Sequence, residues 1–278
     1  MRIAFQGEIG AFSEEATLAL YPGATPLATV SFDEVFRQVA DGSVDRGVIP
    51  IENTLFGSVH VNYDLLRAYD LVIEGEWYLR IRHNLMALSG ATLPAIRRVL
   101  SHPQALGQCQ AFLKEHLAHA EPAPVYDTAG AAKMVAENGD LTEAAIASER
   151  AAETYGLTIL ARGVESNHQN YTRFLGLVRR DAWERRPVDG PARTSIVYTM
   201  RENVPGALFK SLAVFALRDI DLFKIESRPV VGSPGNYLFY LDLGGDAETP
   251  PLRQALAHLT EISAEVRVLG SYLKADIG

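Results

Sequence analysis

Gly47–Val59 reads GVIPIENTLFGSV: an apolar run of strand length, a polar Glu-Asn-Thr triplet, then a return to apolar residues. Around it the chain repeats one rhythm, a short apolar run followed by a helical pattern. RIAFQG (2–7) leads to SEEATLAL, PLATV (26–30) to SFDEVFRQVADG, and RGVIPI (46–51) to GSVHVNYDLLRAY. Strands alternating with helices in this way predict an α/β domain with a mostly parallel or mixed sheet. Ser31 with Glu34 three residues on is a capping box, so the second helix has a marked start.

A long extended stretch, LVIEGEWYLRIRHNLMAL (71–88), separates this set from a second one. There RRVLSH leads to PQALGQCQAFLKEHL, APVYD to TAGAAKMVAENG, and EAAIAS to ERAAETYG, with LTILARGVE after them. Two such sets joined by extended chain predict two lobes with a cleft between them. NHQNYTRFLGLVRR (167–180) ends apolar and reads as the chain returning to the first lobe. DAWERRPVDGPA then has charge, proline and glycine but no periodicity, as a linker does. Beyond it RTSIVYTM, GALFKSLAVFAL, LFKIESRPV, NYLFYLDLG, LRQALAHLTEI and AEVRVLGSY spell strand, helix, strand, strand, helix, strand. That order is the ferredoxin-like βαββαβ unit.

The chain's 278 residues suit two domains at roughly 100 to 200 residues each. With a formal charge of −8 and no run of like charge, neither a nucleic-acid stripe nor a polybasic membrane patch is expected. An anionic ligand must then be held by local donors. Cys109 is the only cysteine and reads as a structural thiol on a helix. No apolar stretch resembles a signal peptide or membrane span, which predicts a cytoplasmic protein. The seven histidines lack metal-ligand spacing, and GEIGAF is not a dinucleotide fingerprint, so neither metal nor cofactor is expected.

One local event recurs in the first domain: a strand ends, a small polar residue follows, and a helix begins. It occurs at Glu52-Asn53, Ser101-His102, Asp127-Thr128 and Ser148-Glu149. Ligands of open α/β sheets bind at the carboxyl ends of strands, where helix N-termini offer unpaired N–H groups. Ser101, Asp127, Thr128 and Ser148 serve equally as helix caps, which are common whatever the function. Glu52 and Asn53 read as a turn or as the wall of a site. Gln104 and Gln108 lie four apart on one helical face, directed to the same place as Ser101 or to solvent.

GEIGAFSEEA, PIENTLFGSV, SHPQALGQC, DTAGAA, AAIASERAAETYGL and NYTRF resemble the ordered motifs of prephenate dehydratase. NVPGALFKSLAVF and KIESRP resemble the regulatory ACT domain that follows it in that family. The resemblance runs from Arg2 to about Tyr272. It implies a bilobal catalytic domain like type II periplasmic binding proteins over 1–180, a linker over 181–193 and an ACT domain over 194–278. It also implies a cofactor-free conversion of prephenate to phenylpyruvate, with phenylalanine as effector. Two departures stand out, Glu8-Ile9 where the family usually carries proline, and Phe223 where threonine is common.

By the same resemblance Thr172 is the hydroxyl donor and Asn53 a substrate ligand, with Ser101 and Gln108 at binding positions. Thr54, Ser148 and Thr128 complete the candidate binding set, and Glu52 is an alternative acid if burial raises its pKa. Arg173 follows Thr172 on a strand, so the two side chains point to opposite faces and only one reaches the ligand. In the ACT domain, Gly206, Ala207 and Leu208 at a helix start are expected to hold the effector carboxylate, facing Glu226, Ser227 and Arg228 of a second copy. One sheet face of a lone βαββαβ unit is bare, which predicts a homodimer or a dimer of dimers. Arogenate dehydratase is the close alternative; a non-catalytic amino-acid sensor would have no use for the NYTRF hydroxyl.

Overall fold

The computed structural model describes residues 1–277 other than 186, 231 and 234. Arg186 of the expected linker, Val231 and Pro234 of the expected regulatory domain, and the terminal Gly278 therefore lie outside the described residues. By internal packing the chain forms two compact units. One comprises 1–62 and 77–174, the other 63–76 and 175–278.

The chain begins with β1 (Arg2–Gln6), α1 (Phe12–Leu20), β2 (Thr25–Thr29), α2 (Phe32–Asp41), β3 (Arg46–Asn53), the short β4 (Gly57–Ser58), α3 (His60–Ala68) and β5 (Leu71–Arg80). Next come β6 (Asn84–Ala87), β7 (Arg98–Ser101), α4 (Pro103–Gln108), α5 (Gln110–His116), β8 (Glu121–Pro124) and α6 (Thr128–Asn138). β9 (Glu143–Ala147), α7 (Glu149–Tyr155), β10 (Thr158–Ala161) and β11 (Tyr171–Arg179) complete the α/β part. One sheet has the order β2-β1-β3-β11-β5, with β4 on β3; the other has the order β10-β6-β9-β7-β8. β1, β2 and β3 run parallel, as do β7, β8 and β9, while β6 and β10 are antiparallel. The expected return of the chain to the first lobe is therefore β11, seated between β3 and β5.

Parallel pairing aligns strand ends, so Gln6, Thr29 and Asn53 end their strands on one edge of the first sheet. The stretch read as a single helix over 103–117 divides at Cys109. The Gln108 carbonyl, which would continue the helix, instead accepts the Ser166 N–H at 2.9 Å. Cys109 is fully buried and its thiol is pushed up to about 12 by burial, as a structural thiol should be.

The C-terminal elements are β12 (Ala192–Met200), α8 (Ala207–Ala216), β13 (Leu222–Pro229), β14 (Tyr237–Gly244), α9 (Pro250–Ile262) and β15 (Ser263–Leu273). They form an antiparallel sheet of order β13-β14-β12-β15, the ferredoxin-like arrangement. α8 and α9 cover one face through Ile196, Tyr198, Leu241, Val214, Phe215 and Leu259.

The other face is not bare, and here the expectation is corrected. Residues 63–76, α3 and the start of β5, pack on it. The Tyr63 and Tyr240 rings meet edge to face at 5.0 Å, and the Tyr240 hydroxyl donates to the Tyr63 carbonyl at 2.7 Å. Arg267 donates to the carbonyls of Leu66, Arg67 and Tyr69, so the end of α3 is capped by a guanidinium. Arg193 donates to Glu76 at 2.9 Å with both side chains buried, and the second Glu76 oxygen accepts the Ala275 N–H.

β5 also meets β15 backbone to backbone. A Cβ at Gly270 would lie 2.0 Å from the Ile73 carbonyl oxygen. Backbone on both sides leaves no side chain to swing aside. Gly270→Ala is expected to cost about 3 kcal/mol or more, the upper range for overpacking. Urea denaturation checks this: a midpoint within error of the parent would mean that β5 and β15 do not approach so closely.

Candidate active site

Within the first unit the strand ends and helix starts surround a cleft of about 830 Å³. Its lining includes Ser31–Asp33 at the start of α2, Val59 and Val61 at the start of α3, His102, Gln104 and Ala105 at the start of α4, and Asp127 and Thr128 at the start of α6. Among the described residues that line it, none is Lys or Arg. Positive potential in the cleft comes from helix N-termini and amide donors rather than from cations.

The hydrogen bonds of the cleft floor have a direction that can be read from one end. The Asn53 side-chain oxygen accepts the backbone N–H groups of Leu55 (2.9 Å) and Phe56 (3.1 Å), which fixes the orientation of the carboxamide. Its nitrogen must then face Asn170 Oδ1 at 2.8 Å and Thr172 Oγ1 at 2.9 Å, which uses both of its protons. With its oxygen committed, Asn170 donates through Nδ2 to Gln108 Oε1 at 3.0 Å. Gln108 Oε1 also lies 2.6 Å from His83 Nε2, so that ring nitrogen is the one carrying hydrogen. At the other branch the Thr172 oxygen is an acceptor, leaving its own proton without an acceptor among the described residues.

His83 is 3% exposed, its Nδ1 is buried without a partner among the described residues, and Phe12 meets its ring edge-on at 5.5 Å. Burial lowers its pKa, outweighing the opposing pull of Gln108 and Glu165. Asp127 accepts the Gly130 N–H as a cap, and burial raises its carboxyl pKa. Tyr126, also in the lining, donates to Glu8 at 3.1 Å, and burial with the Glu8 carboxylate pushes its phenol up to about 12. Glu8 is one of the two motif departures, and it also pairs with Lys133 at 3.3 Å.

Of the candidates, Asn53, Gln108, Thr128 and Thr172 line the cleft together with Gln104. Four others do not. Glu52 alternates with Asn53 on β3 and turns to Arg173, 3.2 Å away and 1% exposed. The same alternation separates Arg173 from Thr172 as expected. Ser101 is fully buried and donates to the Ile146 carbonyl at 2.6 Å. Ser148 caps α7 through the Ala151 N–H and donates to the Gly10 carbonyl. Thr54 bridges to the neighbouring strand, donating to the Gln169 carbonyl and accepting the Tyr171 N–H.

In the C-terminal unit Gly206 has φ 82° and precedes α8, whose start has no side-chain cap, though the Ala207 N–H is taken by the Val204 carbonyl at 3.0 Å. Register pairs Ser227 with Phe239, on the face covered by α8 and α9, whereas Glu226 pairs with Tyr240, on the face covered by α3. Arg228 is on that second face, held by Asp64 at 2.6 and 3.2 Å. The three residues thus do not frame one pocket within a single copy.

Residues 3–182 match the family model described as prephenate dehydratase. This chain belongs to the prephenate dehydratase family. It is 45% identical to arogenate dehydratase/prephenate dehydratase 2, chloroplastic, of Arabidopsis thaliana, over 98% of this chain and 72% of the relative. The structure of prephenate dehydratase from Arthrobacter aurescens in complex with L-Phe superposes with a TM-score of 0.91 at 34% identity, covering 100% of this chain and 92% of that one. GqqA, described as a novel type of quorum-quenching acylase, superposes equally well, with a TM-score of 0.91 at 36% identity over 99% and 98% of the two chains. Membership makes the chain a dehydratase, a carbon–oxygen lyase. Among its described residues no helix is long and apolar enough to cross a membrane.

Sequence reasoning missed Asn170, which links Asn53 to Gln108, and His83, which ends the network beyond Gln108. Asn170 stands inside the NYTRF motif region, and that adjacency was the available signal. The direction of the network predicts that His83 carries its proton on Nε2 and titrates below its ordinary 6.5. The unfolded chain then binds the proton more readily than the fold, so stability from this residue is complete above about pH 6.5 and declines as pH falls toward the native pKa. Nitrogen-15 NMR of labelled histidine reads both; a ring protonated on Nδ1 when neutral, or a midpoint above 6.5, would reverse the assigned direction.

Proposed function

We propose that the chain converts prephenate to phenylpyruvate, carbon dioxide and water, with Thr172 as proton donor. The observation that carries this reading is the Thr172 hydroxyl, held as an acceptor by Asn53 while its proton has no acceptor among the described residues. In the reaction the bond from ring carbon to carboxylate breaks, its electron pair enters the ring, and the ring aromatises as the C–O bond to the hydroxyl breaks. The leaving oxygen takes the threonine proton and departs as water, and solvent restores the proton. Orientation and one positioned donor suffice, because aromatisation drives the step. Were Thr172 to serve as the nucleophile of an acyl transfer, it would need a base beside it. Its neighbour is instead a hydrogen-bond donor, which makes the oxygen a poorer nucleophile and the hydroxyl a better acid.

Asn53 aims Thr172. Gln108, Gln104 and Thr128 are assigned to substrate contact, together with the N–H groups of the helix starts that their caps leave unused. Ser101, Ser148, Thr54 and the Glu52–Arg173 pair hold the strand ends in place. Arogenate carries an ammonium where prephenate has a keto oxygen, and the name of the Arabidopsis relative includes both activities. Asp127 in the lining offers that ammonium a carboxylate, so arogenate is the second reading.

Thr172→Ala is expected to lower turnover by roughly 10² or more with little change in KM, as loss of a general acid does. Asn53→Asp, nearly the same shape, puts an acceptor where two donors stood and draws the Thr172 proton to itself, so its loss should be as large. Assays with prephenate and with arogenate check both variants and choose the substrate. Near-normal turnover of Thr172→Ala on both would remove Thr172 as donor.

Residues 1–180 are assigned to catalysis and 194–278 to regulation, joined through 181–193. L-phenylalanine is assigned as the effector, its carboxylate at the start of α8, in a homodimer or dimer of dimers whose mass should hold on dilution. The α3-covered face directs assembly to the sheet edges β13 and β15 and to the α8 face. At φ 82° a β-branched side chain is strained, so Gly206→Val should weaken phenylalanine binding and relieve inhibition while leaving uninhibited turnover intact. Equal inhibition of parent and variant would place the effector elsewhere.

A further inference from the structure

Phe12 lines the cleft on one side and a second cavity, of about 640 Å³, on another. Three arginines and three glutamates face this second cavity: Arg80, Arg82, Arg162, Glu15, Glu149 and Glu165. Four of the six are engaged. Arg162 pairs with Glu149 at 2.6 Å, Glu165 accepts the His83 N–H at 2.9 Å, and Arg80 donates to the His168 carbonyl at 3.1 Å. The Glu15 and Arg82 side chains make no hydrogen bond or direct ion pair with a described residue, although Glu15 feels the charges of Arg150 and Arg82 through space. Asn84 also faces the cavity and is 4% exposed; its oxygen accepts the Gly163 N–H at 3.3 Å, and its NH₂ has no partner among the described residues.

The unmet groups are therefore one carboxylate, one guanidinium and one buried amide donor, beside the apolar walls of Phe12 and Leu79. We propose that this cavity binds a free α-amino acid, its carboxylate on Arg82 and the Asn84 amide and its ammonium on Glu15. The six charged walls balance, three against three, and a zwitterion keeps that balance where a phosphate or a metal ion would break it. Burial raises the Glu15 carboxyl pKa against the opposing pull of Arg150 and Arg82, so an arriving ammonium would add a direct contact to a carboxylate that has only attraction at a distance. The cavity is large enough for a small ligand, and its lining lies wholly within the first unit.

Calorimetric titration of the full chain tests this with three probes: L-alanine, acetate and ethylammonium. L-alanine is expected to bind, and each half-molecule at least about tenfold more weakly, since each satisfies only one of two charged contacts. Glu15→Gln and Arg82→Gln should each weaken L-alanine by about tenfold or more, with melting temperature and uninhibited turnover unchanged. Arg82 is exposed, which keeps its variant foldable, and Arg82→Lys serves as a second variant that should retain part of the affinity. Silence with L-alanine overturns the proposal. So does L-alanine binding that survives both substitutions, as it would at the C-terminal unit, or acetate binding as tight as that of L-alanine, which would make this a simple anion site.

Discussion

Two backbone N–H groups, those of Leu55 and Phe56, decide which way the Asn53 carboxamide faces, and the cleft depends on that decision. A carboxamide is nearly symmetric in shape, so sterics alone would not choose between its two orientations. Once the oxygen is claimed by the turn that follows β3, the nitrogen has two protons and two acceptors, and no freedom remains. Asn170, Gln108 and His83 then follow in turn, each with its direction set by the one before it. Such a network is cooperative: a single reversed member would leave two donors or two acceptors facing each other in a place with little water. This is why a polar triplet at the end of one strand governs groups as far away in sequence as 119 residues.

The fold was legible because its signals are local. Strand and helix periods and the βαββαβ order each need only a window of sequence, and the elements follow that order, with the helix read over 103–117 divided at Cys109. Asn53 and Thr128 stand in the cleft lining because strand ends and helix starts converge there in this architecture, whereas Thr172 and Gln108, also in the lining, were singled out by the resemblance of their motifs. Glu52 could have been set aside on sequence alone: the alternation that separates Thr172 from Arg173 also separates Asn53 from Glu52, and the pair they form lies on the face away from the cleft. Ser101 was not legible in this way, because its hydroxyl is consumed by the Ile146 carbonyl of the adjacent strand, 45 residues on. The cover on the C-terminal sheet was hidden for a similar reason. Tyr63, Asp64 and Glu76 belong by sequence to the first α/β set, and only the folded chain shows them against Tyr240, Arg228 and Arg193.

The distribution of charge separates the two parts of the chemistry. Buried cations occur, but in pairs away from the cleft: Arg173 with Glu52, and Arg193 with Glu76. Removing one member of such a pair leaves an uncompensated charge, which makes these positions rigid supports rather than candidates for moving protons. Among the described residues the cleft lining holds no Lys or Arg; amides, hydroxyls and apolar side chains share it with the carboxyls of Asp33 and Asp127.

For the proposed reaction that absence of cations has a kinetic meaning. The ring carboxylate of prephenate begins as an anion and leaves as neutral carbon dioxide, so its charge diminishes as the transition state is approached. A lysine or arginine against it would bind the ground state more strongly than the transition state and raise the barrier. Amide and helix-end N–H groups hold a carboxylate in place with a weaker field, and they cost less to relinquish as the charge moves into the ring. The leaving hydroxyl has the opposite need, because negative charge grows on it, and there a donor of fixed direction gains strength as the bond breaks. Thr172, aimed by Asn53, is placed to be that donor; the helix starts around it orient the carboxylates without gripping the one that must depart.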